Sequence, residues 1–171
     1  MDANHRLRME TMRLVNRFMT PFATALVLAG VFFGDLGTNQ SAMALALAGV
    51  TAAFNAYSIK WAAKSPEKFL EIRNLRVVFN HTLNVWLIWL LLPHWPPIWM
   101  LFLLTMIAVG TYEGRDAVIS HGVLLAGLLL LVAYLRGVDG ARAWAAVSAE
   151  GATLIFAGLF CNRLVAQARA G

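Results

Sequence analysis

Six apolar runs fill residues 18–164, and four of the five connections between them are six residues or shorter. The runs cover 18–34, 41–59, 75–92, 97–111, 117–135 and 141–164. A helix rises 1.5 Å per residue and the hydrocarbon layer of a bilayer is ~30 Å thick, so each run is about as long as a membrane crossing. No stretch among them is left for a separate soluble catalytic domain. A strand-by-strand alternation is absent, and an isolated span must satisfy its own backbone polar groups. The expected fold is therefore all-α: a polytopic membrane protein with six transmembrane helices.

Composition agrees. Hydrophobic residues make up 60% of the chain and charged residues 13%, against about 25% charged in soluble domains. Soluble-enzyme, disordered, collagen-like and disulfide-scaffold readings fall on these values. The single cysteine, Cys161, lies in the last apolar run and has no partner for an intrachain disulfide. The first run follows a basic start without a small-x-small cleavage signal, so it reads as an uncleaved signal anchor.

The net charge of +5 would suggest nucleic acid in a soluble protein. Here the basic residues flank apolar runs, which points to anionic lipid and to topology and away from nucleic acid. Arg6, Arg8, Arg13 and Arg17 precede the first run; Lys60, Lys64, Lys68, Arg73 and Arg76 lie around the second connection. Arg115, Arg163 and Arg169 fall on the same side, and Arg136 and Arg142 on the other. Twelve against two places both termini in the cytoplasm. Three parts follow: a basic juxtamembrane segment at 1–17, the bundle at 18–164 and a cytoplasmic helical stub at 165–171. Residues 5–17 suit a helix lying on anionic lipid, and residues 60–74 a second interfacial helix. The tryptophans sit mostly near run ends, as an interfacial belt does; a Trp-lined vestibule near His94-Trp95-Pro96-Pro97 is the alternative.

Polar residues inside the runs carry the functional signal, because ionisable groups are costly in a bilayer. Glu150 lies near the middle of the last run, among the small residues Ala146, Ser148, Ala149, Gly151 and Ala152. Small residues let helices approach closely, so this helix is expected at the centre of the bundle. Arg76, Asn80 and Asn84 recur at i, i+4 and share one helix face, with His81 on an adjoining face. Asn55 in the second run and His121 in the fifth fall at a similar height. The expected ligand pocket is lined by Asn55, Asn80, His81, Asn84, His121 and Glu150; the bland reading is interhelical hydrogen bonding that only holds a bundle together. Arg76, Glu113, Arg115 and Asp116 are expected at its cytoplasmic mouth, with Glu113 or Asp116 as partner for Arg76.

Catalytic motifs are missing. There is no HExxH, GxSxG, phosphate loop or Cys/His cluster, so neither metal site nor cofactor is expected. Every lysine lies in one connection, which leaves none in a span for a retinal Schiff base. His81 and His121 would be the only route to a bis-His haem.

Residues 99–135 read WMLFLLTMIAVGTYEGRDAVISHGVLLAGLLLLVAYL, and the chain ends GLFCNRLVAQARAG. An aromatic-led apolar helix, a tight Gly-Arg turn, a Leu/Ala-rich helix and a basic helical exit resemble the six-span N-terminal input modules of bacterial sensor histidine kinases and membrane nucleotide cyclases. The resemblance covers roughly residues 75–171 and rests on layout. It implies a signal-transducing sensor in the bacterial inner membrane, dimeric, whose last helix passes a change in the bundle to a cytoplasmic effector. It names no ligand residue. The expectation is a sensory module that binds a small apolar or amphipathic ligand, or senses the bilayer, as a homodimer or with a partner protein. The alternative is a substrate-binding subunit of a small-molecule or ion transporter; a membrane enzyme, a haem protein and an assembly factor follow behind.

Overall fold

The computed structural model describes the backbone of residues 3–170 and the side chains of residues 9–168. Arg6, Arg8 and Arg169, which enter the count of basic residues, have side chains outside this range. Six α-helices account for nearly all of it: α1 (Ala3–Phe33), α2 (Thr38–Lys64), α3 (Phe69–Leu91), α4 (Met100–Tyr112), α5 (Arg115–Leu135) and α6 (Ala141–Ala170). No strand occurs among the described residues. The fold is all-α, as the apolar runs require.

Four helices are long and apolar enough to cross a membrane: Met9–Phe33, Thr38–Lys64, Arg115–Leu135 and Ala141–Ala168. α3 falls short of that mark because Arg76, Asn80, His81 and Asn84 interrupt its apolar residues. α4 is apolar but short, spanning Pro96–Tyr112 with its leading 3-10 turn. Large apolar side chains face outward around the molecule, Phe32 and Phe156 being 77% and 75% exposed. Water would penalise such a surface and hydrocarbon would not.

Two connections differ from the expected layout. The basic segment is not a separate helix, since α1 runs unbroken from Ala3 through Pro21 to Phe33. Met9 and Met12 are buried against Ala62, Phe69 and Ile72, so this part of α1 packs on protein. Residues 60–74 do not form a helix of their own: 60–64 end α2, 69–74 begin α3, and only 65–68 connect them. α2 continues to Lys64, and Pro66 opens a 3-10 turn, Pro66–Lys68, that leads straight into α3. Proline lacks the N–H that a continuing helix needs but suits the first turn of a new one.

The α5–α6 turn is set by glycine. Gly137 has φ +73°, and the Val138 N–H donates to the Ala133 carbonyl at 2.9 Å, which closes the end of α5 in a Schellman arrangement.

α1 packs along α2 and α2 along α3, while α6 packs along both α5 and α4. α3 and α1 both meet α4, so α4 joins two groups of three helices. The α4–α6 approach is close. A Cβ at Gly110 would stand 2.6 Å from the Gly158 carbonyl oxygen. Asn162 of α6 also donates from Nδ2 to the carbonyls of Glu113 at 2.7 Å and Gly110 at 3.3 Å. These are C-terminal carbonyls of α4 that have no partner within their own helix. Asn162→Leu is expected to destabilise the fold by about 1–3 kcal/mol, the cost of stranding a buried acceptor. Reversible unfolding in mixed micelles measures it; an unchanged midpoint would show that these carbonyls find other partners.

Candidate functional site

The polar stripe of α3 points inward. Four polar or charged residues are buried among the described residues, Asn55 and Ser58 on α2 and Arg76 and Asn84 on α3. Asn55 is the hub. Its Oδ1 accepts from Arg76 Nε and from Asn80 Nδ2, both at 3.0 Å. Arg76 Nη2 reaches across to α1 and donates to Asn16 Oδ1 at 2.7 Å, and Thr20 Oγ1 donates to the same oxygen at 3.0 Å. One turn along α3, Asn84 Nδ2 donates to Thr105 Oγ1 of α4 at 2.9 Å, and that hydroxyl donates to the Leu101 carbonyl. The network thus ties α1, α2, α3 and α4 through one row of α3 side chains.

A cavity of about 100 Å³ lies where these four helices meet. Asn55, Arg76, Asn80 and Asn84 line it, joined by Thr105 and Tyr112 from α4. Val27, Ala48, Leu87 and Leu101 give it an apolar wall. Arg73 also lines it, but its Nη2 is held by Glu113 at 2.9 Å. Among the described residues the lining therefore contains two arginines and no carboxylate, and Glu113 is engaged by Arg73.

Two polar atoms of the network are unpaired. Arg76 Nη1 and Asn80 Oδ1 are buried with no hydrogen-bond partner. A buried guanidinium without a counter-ion costs several kcal/mol of desolvation that amide oxygens only partly offset.

Of the six residues expected to form the pocket, Asn55, Asn80 and Asn84 line this cavity. His81 and His121 do not. They meet each other from α3 and α5, edge to face, with ring centroids 5.4 Å apart. Each directs Nδ1 at the carbonyl one turn back, Val77 at 2.7 Å and Ala117 at 2.8 Å. A carbonyl only accepts, so Nδ1 carries a proton in both rings. Glu150 sits on α6, away from the cavity lining, and makes no hydrogen bond or ion pair among the described residues. Its neighbour Gly151 packs on Ala126 of α5.

At the expected mouth, Arg76 is part of the cavity itself. Glu113 pairs with Arg73 and not with Arg76, because Arg76 is turned inward to Asn16 and Asn55. Arg115 and Asp116 are exposed at the start of α5 and take no part in the network.

Sequence reasoning missed Asn16, Thr105 and Tyr112. Asn16 and Thr20 are one helical turn apart on α1 and could have been read as a polar stripe continuing into the apolar run. Thr105 has no polar residue one turn away in its run and gives no such signal. Comparisons with family models, with characterised proteins and with solved structures give no match for this chain, so the site is read from its own chemistry.

Proposed function

We propose that this chain is a sensory module of the bacterial inner membrane. In this reading all six helices cross the bilayer with both termini in the cytoplasm, in accord with the twelve-to-two bias of basic residues. It binds a small amphipathic ligand in the α1–α4 cavity and passes the event to α6, as a homodimer. The observation that carries it is the buried Arg76–Asn55–Asn16–Asn80 network left incomplete at the wall of a cavity.

The geometry of α4 supports the transmission step. One side of α4 lines the cavity through Leu101, Thr105 and Tyr112. Gly110 lies against Gly158 of α6, and Asn162 clasps the end of α4. A ligand that displaces α4 therefore moves the α6 contact with it. Packed helices respond by small discrete shifts, on the order of 1–2 Å.

Native mass spectrometry of the full chain released from nanodiscs tests the binding step. A discrete bound mass on a dimer is expected, and a bare monomer would overturn it. For transmission, Ala52→Phe places a benzyl group in the cavity as a ligand mimic. Spin labels at Lys64 and Ala166, in a Cys161→Ser background, are expected to report a changed distance distribution in that variant. Superimposable distributions would argue against coupling of the cavity to α6.

A further inference from the structure

We propose that the cavity takes an amphiphile with an oxyanion head, the head held by Arg76 and the acyl chain lying on Val27, Leu87 and Leu101. This rests on the reading of the cavity as a ligand site and adds the charge and shape of the ligand.

The charge follows from the lining. Arg76 is 8% exposed, its Nη1 has no partner, and the other two guanidinium nitrogens are satisfied only by neutral amide oxygens. A neutral ligand would leave the buried cation uncompensated. A cationic one would add repulsion from Arg73 as well as Arg76. A carboxylate or phosphate oxygen completes the guanidinium with a charge-assisted hydrogen bond. Asn80 Oδ1, the second unpartnered atom, is an acceptor: it suits a hydroxyl carried beside that oxyanion, and an ionised carboxylate alone gains nothing from it.

The shape follows from size and wall. About 100 Å³ is several times the ~10–15 Å³ that a cavity needs to hold one water, enough for a head and its first carbons but not for a whole lipid. The remaining chain must leave between helices, whose outer faces carry large exposed apolar side chains. A small hydrophilic anion would gain nothing from the Val27, Leu87 and Leu101 wall.

Two sources supply this chemistry, a free fatty carboxylate or an anionic lipid of the bilayer. The full chain is reconstituted in nanodiscs of phosphatidylcholine alone, and laurate and dodecanol are titrated as a charged and an uncharged probe of equal chain length. Laurate is expected to bind one per chain and at least about tenfold tighter than dodecanol, the scale of one charged hydrogen bond. Arg76→Gln is expected to erase that preference. Arg76→Lys should keep part of it, and Arg163→Gln, on the exposed end of α6, should leave it intact. A parallel preparation with phosphatidylglycerol distinguishes the sources. Its retention through purification and competition with laurate would assign the head to a bilayer lipid; laurate binding without competition would assign it to a free carboxylate.

Equal binding of laurate and dodecanol, both blocked by Ala52→Phe, would overturn the charge assignment and leave the cavity reading standing. An unchanged preference in Arg76→Gln would overturn the role of Arg76. No binding of either probe and no retained lipid would overturn the inference and the cavity reading together.

Discussion

Gly110→Ala is expected to lower the unfolding free energy by about 2–4 kcal/mol, an unusually large effect for one added methyl group. The reason is what that methyl meets. Its position lies 2.6 Å from the Gly158 carbonyl oxygen, 3.1 Å from Cys161 Cβ and 3.3 Å from the Asn162 amide nitrogen. All three belong to α6, and two are backbone atoms that cannot rotate away. The helices must separate, and separation also stretches the Asn162 bonds to the end of α4. In a bilayer close van der Waals contact is a main source of helix association, so this loss is not offset by apolar burial elsewhere. Gly49→Ala is the matched control. Nothing lies within 4 Å of a Cβ there, so the change is expected to be neutral or up to about 1 kcal/mol stabilising from helix propensity. Unfolding of both variants by dodecyl sulfate titration in mixed micelles makes the comparison. Equal midpoints would mean that the α4–α6 contact is looser than the structure has it. The functional reading adds a second outcome. The cavity residues of α4 lie off this contact, so laurate binding in Gly110→Ala is expected to survive while the response of α6 is lost.

The all-α architecture and the inward stripe of α3 are legible in the sequence because both depend on periodicity alone. Apolar runs long enough to span give helices, and Arg76, Asn80 and Asn84 at i, i+4 must share a face. What sequence does not supply is the rotation of one helix against another. Asn55, His81 and His121 lie at similar heights and Glu150 is an acid deep in a span, but neither height nor depth says which neighbour a side chain meets. α3 turns Arg76 and Asn80 toward α1 and α2, and its His81 toward α5. α6 is screened from the cavity by α4, which leaves Glu150 outside it. The basic start of the chain was separated from the first span because charge counts cannot see that Met9 and Met12 continue the buried face of the same helix. Asn16 went with that segment and was lost to the site for the same reason. The sequence offers Glu113 or Asp116 as partner for Arg76, but Arg76 turns inward to Asn16 and Asn55, and Glu113 pairs with Arg73.

Substitutions at Asn55 separate a network that only holds helices together from one that awaits an anion. Asn55→Leu removes the oxygen shared by Arg76 Nε and Asn80 Nδ2 and strands two buried donors, one of them charged. A loss of about 3–5 kcal/mol is expected, near the upper end for a single change at a buried polar site. Asn55→Asp keeps the shape and both contacts but puts a carboxylate 3.0 Å from Arg76 Nε. If the guanidinium lacks only its counter-ion, the aspartate supplies one from within. The unliganded protein should then be at least as stable as wild type, because the buried cation is compensated without help. The same substitution should abolish the preference for laurate over dodecanol, since a second anion would now face a carboxylate in a low-dielectric site. The two readouts move in opposite directions, which no general loosening of the fold can imitate. Unfolding midpoints in micelles and probe titrations in phosphatidylcholine nanodiscs measure them on the same preparations. An Asn55→Asp protein that is destabilised like Asn55→Leu would show the network to be complete with neutral partners. One that keeps the laurate preference would show that the anion binds elsewhere than at Arg76.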